Sequence, residues 1–151
     1  MKLLAAHYQS GQTFEFVFDK GALQSRHEKR GRTNLIFGPG FLDLQCNGYA
    51  GIDFNHRDVT PEQIAHAIRA MWAHGCTEVM PTLITASTER LVTLFARLRA
   101  ALELDREVAR SVPGFHLEGP FLSPVDGARG ADPREHVIPP NRSVWRRVQR
   151  G

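Results

Sequence analysis

A carboxylate closes an apolar run in Phe115-His116-Leu117-Glu118-Gly119-Pro120-Phe121, and a Gly-Pro pair follows it at once. A buried, unpaired carboxylate costs several kcal/mol. Glu118 therefore needs a positive partner, and three are in reach of the sequence: a metal ion, Arg129 or His116. Carboxylate oxygen serves zinc and harder divalent ions alike, so Glu118 by itself does not select a metal. Two other segments place polar side chains at comparable points. Gln45 and Asn47 follow the apolar Phe41-Leu42-Asp43-Leu44, and Thr82 and Thr85 stand near the end of Cys76–Thr85. Gln45 and Asn47 also fit a plain strand end, because Asn47-Gly48 is a common turn pair. Thr82 and Asp43 read as structural.

Such groups act together only if the elements carrying them align at one end. The periodicities say that they do. "FLDLQCNG" (41–48) reads as a short strand. Thr60-Pro61-Glu62-Gln63 opens a helix: Thr60 caps, Pro61 suits the first position and Gln63 completes a capping box. Ile64, Ala67, Ile68 and Met71 share one face of it, and Gly75 stops it. "CTEVMPTLIT" (76–85) is apolar enough for a strand covered on both faces. A second helix starts at Ser87 or Thr88, with Leu91, Leu94, Phe95, Leu98 and Leu102 as its buried stripe. "SVPGFHLEG" (111–119) supplies a third strand. The order β-α-β-α-β predicts parallel strands with right-handed crossovers. Parallel strands carry their chemistry at their C-terminal ends. Gln45, Asn47, Thr82 and Glu118 are thus expected on one rim.

Residues 1–37 have another texture. In "TFEFVFD" Phe14, Phe16 and Phe18 alternate with Glu15 and Val17, a half-buried strand. Lys20-Gly21 is a turn, "SRHEKRGRTN" (25–34) a surface loop, and "NLIFGPG" a strand ending at Gly38-Pro39-Gly40. The expected boundary therefore divides 1–38 from 39–151.

The bulk numbers suit a globular domain. The chain has 151 residues, 42% hydrophobic and 23% charged, with a net charge of +3. The arginines are dispersed until the last ten residues, so composition argues for no nucleic-acid partner. No apolar run is long enough to cross a membrane, and the N-terminal apolar run is too short for a signal-peptide core. Cys46 and Cys76 lack C-x-x-C spacing and read as reduced thiols of a cytoplasmic protein.

Three segments together carry a resemblance: "PGFLDLQCNGYAGIDFN" (39–55), "GCTEVMPTLIT" (75–85) and "GFHLEGPFLSP" (114–124). They resemble the N-terminal portion of N-acetylglucosamine-6-phosphate deacetylases, in the metal-dependent amidohydrolase superfamily. The run His-Leu-Glu-Gly-Pro-Phe is specific to that family. So, nearly, is Gln45-x-Asn47, where most amidohydrolases have His-x-His. The resemblance implies an α/β fold: the first three strand–helix units of a distorted (β/α)8 barrel, with residues 1–37 as part of a small β-sandwich. It implies that Glu118 binds one divalent ion, usually zinc, while Gln45 and Asn47 replace a second metal pair. Amides are poor transition-metal ligands, so a single-metal site is expected. The implied reaction is hydrolysis of the N-acetyl group of a small amino-sugar phosphate, by a metal-activated water. Homo-oligomers are implied for complete members.

The resemblance also has gaps. A full barrel takes about 250 residues. The family's two metal-binding histidines, its catalytic Asp and its phosphate ligands come from later strands, beyond residue 151. The family has Gly-Ala-His after Glu-Gly-Pro-Phe. Here that place falls to Gly130-Ala131-Asp132, or to Gly127-Ala128-Arg129. These gaps predict a fragment or truncated product that alone neither holds stoichiometric zinc nor turns over substrate. The alternatives are a non-catalytic remnant, or an interaction module pairing through an open sheet edge. The tail (Arg142, Arg146, Arg147, Arg150) reads as the next helix, with Val144 and Val148 inward, and alternatively as an anion-binding segment.

Overall fold

The computed structural model describes residues 1–150 and divides into two units, the first ending at Pro39 and the second starting at Gly40. Together they make a mixed α/β chain with several sheets.

The first unit is one four-stranded sheet. It comprises β1 (Lys2–His7), β2 (Thr13–Asp19), β3 (Ala22–Glu28) and β4 (Ile36–Phe37), in the order β3-β2-β1-β4. β2 and β3 form a hairpin through Lys20 and Gly21, both at positive φ, so the expected turn is there. Phe16 is buried and stacks on Phe37, with ring centroids 4.1 Å apart. The expected loop at 25–34 is corrected at its start, because Ser25–Glu28 belong to β3. That strand is an edge with mostly exposed, polar side chains, so it lacks the alternation that marks half-buried strands. The strand expected from Asn34 to the break at Gly38 is only the two residues of β4.

The second unit is built on a three-stranded parallel sheet of β5 (Phe41–Cys46), β8 (Cys76–Leu83) and β9 (His116–Leu117), with β8 in the middle. A small hairpin of β6 (Gly48–Tyr49) and β7 (Ile52–Asp53) follows β5. α1 (Pro61–Trp72) has the full capping box between Thr60 and Gln63, and buries Ile64, Ala67, Ile68 and Met71. α2 (Thr88–Leu104) is capped by Ser87 and buries Leu91, Leu94 and Leu98. Both apolar faces join Val79, Leu83 and Phe54 in one core. Burying each such side chain stabilises by roughly 1.5–3 kcal/mol.

The structure differs from the pattern reading in three places. Only the second half of β8 is covered, since Thr77 and Glu78 are exposed. The third strand shrinks to two residues. Ahead of it stands a short helix, α3 (Arg106–Arg110), capped by the Asp105 carboxylate. The tail is a helix, α4 (Arg142–Arg150), with Val148 buried and Val144 packed against the core. Among the described residues no helix is long and apolar enough to cross a membrane.

Candidate active site at the strand ends

Glu118 is set by the pairing of β9 with β8. Thr82 pairs with His116 and Leu83 with Leu117, and the Glu118 N–H continues the ladder to the Leu83 carbonyl at 2.8 Å. The next residue must be glycine for two reasons. Gly119 has φ +86, and a Cβ there would overlap the Thr85 hydroxyl. Thr85 is itself buried, and its hydroxyl donates to the Glu118 carbonyl at 3.3 Å.

The Glu118 side chain meets an amide rather than a protein cation. Gln45 Nε2 donates to Glu118 Oε2 at 3.0 Å. Among the described residues Glu118 makes no ion pair. Arg129 is engaged elsewhere, by Asp126 Oδ1 at 2.7 Å and by the Asp132 main-chain carbonyl. His116 Nδ1 lies 3.5 Å from the Thr82 hydroxyl. Neither bonds to Glu118, although Arg129 lines the same pocket and its buried Nε has no hydrogen-bond partner.

Gln45 is held in turn by its strand end, where its N–H donates to Asp43 Oδ1 at 3.0 Å. Asp43 thus supports the irregular stretch between Asp43 and Cys46, where the register of β5 with β8 shifts, which is a structural role. Thr82 is also structural: its hydroxyl donates to the Met80 carbonyl and is fully buried. Asn47, two residues beyond Gln45, has a buried Nδ2 with no hydrogen-bond partner. Buried donors without partners are rare enough to need an explanation, and one is a ligand or water that accepts from them.

Asp132 also reaches this rim. Its Oδ1 accepts the Thr85 N–H at 3.1 Å. Glu118, Arg129 and Asp132 line one open pocket of about 330 Å³, walled by Ile84 and Leu122 and by the glycine-rich segment 127–131. The structure thus joins Gln45 to Glu118 by a bond and Glu118 to Asp132 by a shared pocket. Asn47 bonds to neither. A larger open groove of about 730 Å³ lies between Val92 and the arginines of α4, remote in character from this acidic rim.

Pattern reading missed Asn55. This buried residue donates from Nδ2 to the Thr82 carbonyl at 3.1 Å and accepts the Ile84 N–H at 2.9 Å. It holds the end of β8 where the strand ladder stops. The available signal was an Asn directly after the buried Phe54, at the close of a glycine-bearing loop.

These residues do not by themselves make a metal centre. Among the described residues no three His, Cys, Asp or Glu side chains converge to hold an ion. Glu118 is one carboxylate, and catalytic zinc sites take three protein ligands. Cys46 is no substitute: it is buried on the core side, where its thiol approaches Met71 Sδ and burial pushes its pKa up.

A deacetylase of Caenorhabditis elegans, the N-acetylglucosamine-6-phosphate deacetylase, is 38% identical over 108 residues, covering 69% of this chain and 25% of that protein. The chain is a relative of the N-acetylglucosamine-6-phosphate deacetylases. An N-acetylgalactosamine-6-phosphate deacetylase of a Shewanella species is 37% identical over 98 residues, covering 65% of this chain and 23% of that protein. The fold agrees as well. The crystal structure of the Thermotoga maritima N-acetylglucosamine-6-phosphate deacetylase superposes with a TM-score of 0.79 at 19% identity, over 97% of this chain and 39% of that one. No family model matches the chain. The chain spans about a quarter of the length of the curated relatives it matches.

Proposed function

We propose that this chain is the N-terminal portion of a metal-dependent deacetylase acting on an N-acetylhexosamine 6-phosphate, N-acetylglucosamine 6-phosphate first among them. The reaction adds water across the amide and yields the amino-sugar phosphate and acetate. The observation that carries this reading is the bond between Gln45 and Glu118, which brings the two most family-specific motifs together at the ends of parallel strands. In this reading β5, β8 and β9 are the first three strands of a (β/α)8 barrel, and residues 1–38 belong to a small β-sandwich. Glu118 is one ligand of a single divalent ion, zinc, and the remaining ligands and the acid–base Asp are supplied beyond these residues. Gln45 orients the Glu118 carboxylate, and the Asn47 amide is free to donate to bound substrate. The complete protein is proposed to be a cytoplasmic homo-oligomer with a small-molecule substrate.

The test is a chimera in which residues 40–150 replace the matching segment of the Haemophilus influenzae deacetylase, which is 36% identical over 114 residues. Acetate release is measured from the glucosamine and galactosamine forms of the substrate. Turnover of either, lost in Glu118→Gln, supports the proposal. A folded chimera whose turnover survives Glu118→Gln contradicts it.

A second reading has one observation in its favour. β5 is an edge strand, and Phe41 and Leu44 on it are 72% and 61% exposed. A non-catalytic module that pairs through this edge would need such a strand. Concentration-dependent dimerisation, abolished by a Leu44→Lys change, would favour it.

A further inference from the structure

Asp132 is bound into the rim by two neighbours of its own loop and strand end. Its Oδ1 accepts the Thr85 N–H at 3.1 Å. Thr85 then uses its hydroxyl on the Glu118 carbonyl at 3.3 Å. Thr85 is 1% exposed, so neither bond competes freely with water. Gly119 lies flat against the same hydroxyl, because no Cβ fits there. The main chain at Asp132 is fixed from the other side, where Arg129 donates to its carbonyl while also holding Asp126. The Asp132 carboxylate is therefore tied to the end of β8, and the segment 127–132 lines the same pocket as Glu118.

We infer that Asp132 is a positioning residue for Glu118, acting through Thr85 rather than on substrate. A short carboxylate closes the loop onto β8, and Thr85 passes that restraint to the backbone that aims the Glu118 side chain at Gln45. That Glu118 is a metal ligand rests on the deacetylase reading above. The coupling from residue 132 to residue 118 does not, and it is measured without activity.

The experiment uses the full 151-residue chain, isotopically labelled, in three forms: unchanged, Asp132→Ala and Asp132→Asn. Amide hydrogen exchange is followed at Thr85 and Glu118, and the Gln45 side-chain amide resonances are recorded. Asn retains an acceptor oxygen at the same place. Asp132→Ala should exchange about five- to tenfold faster at both amides, as the loss of one ordinary hydrogen bond requires. It should also shift the Gln45 side-chain signals, and Asp132→Asn should restore all three. Ile68, in the middle of α1, reports global opening and should not change. Acceleration at Thr85 with Glu118 and Gln45 unmoved would reduce Asp132 to a local loop tie and overturn the inference. So would equal acceleration at Ile68, or no rescue by Asn. Failure of the deacetylase reading would leave these exchange rates as they are, so the two outcomes are separable.

Discussion

Gln45 and Glu118 stand 73 positions apart and are joined by a 3.0 Å hydrogen bond from amide to carboxylate. The first is the penultimate residue of β5 and the second follows β9, and the two strands flank β8 without pairing with each other. The bond therefore spans the rim of the sheet, and it presents the charged side chain of one motif to the neutral side chain of another.

Replacing that amide by a carboxylate tests the contact. Gln45→Glu puts two negative charges at hydrogen-bond distance, a repulsion of about 1 kcal/mol at a wet rim. The like charge raises one carboxyl pKa in the folded state. The variant should therefore be less stable than the parent at neutral pH, and its deficit should shrink as pH falls through the raised pKa and the proton is taken up. Urea midpoints between pH 4 and 8 measure this, and a deficit that is flat with pH would mean that the two side chains do not face each other.

The glycine after Glu118 is a second test. Gly119→Ala must place a methyl on the Thr85 hydroxyl at a backbone conformation that L-residues avoid. A loss of about 1–3 kcal/mol is expected in denaturant unfolding, from strain of this kind. Combining it with Thr85→Ser, which keeps the hydroxyl, should not relieve the loss, whereas Thr85→Ala should recover part of it.

Asp105 offers a pH test of the helical layer. Arg69 donates to its carboxylate, Nε at 2.6 Å, and the same carboxylate caps α3 through the Glu107 and Val108 N–H groups. The bond from Arg69 holds its pKa below the ordinary aspartate value. A depressed folded pKa gives stability that is present above the unfolded aspartate pKa and lost as pH falls through the folded one. Asp105→Asn keeps a capping oxygen and removes the ion pair. It should lower the unfolding midpoint at pH 7 and match the parent progressively below the usual aspartate range. A constant gap down to the lowest pH would show that the ion pair with Arg69 is not its cause.

Much of the fold was legible because its signals are local. Thr60-Pro61-x-Gln63 fixes the start of α1 by side-chain bonds within four residues, and the Leu stripe of α2 needs only helical period. β3 was not legible beyond its turn, because its partner β2 supplies the ladder while its own side chains face water. α3 hid for a similar reason: one turn of helix has too few residues for a period, and its cap at Asp105 is also the end of α2. At the site, Glu118 was legible as a carboxylate out of place, and Gln45 as a polar residue at a strand end that the resemblance then singled out. The bond between them was not, since it depends on a register that only β8 sets. Asp132 shows the limit most plainly. The sequence offers two glycine-alanine placements, ending at Arg129 or Asp132, and the hydrogen bond from Thr85 to Asp132 comes from a loop fold that no period or motif encodes.

The most direct test of the account is metal content. In the chimera carrying residues 40–150, the bound divalent metal per chain is measured by plasma emission after gel filtration, for the parent and for Glu118→Gln. One ion per chain in the parent, falling to a small fraction in the variant at unchanged fold, is the result the account predicts. A full ion retained by Glu118→Gln would contradict it.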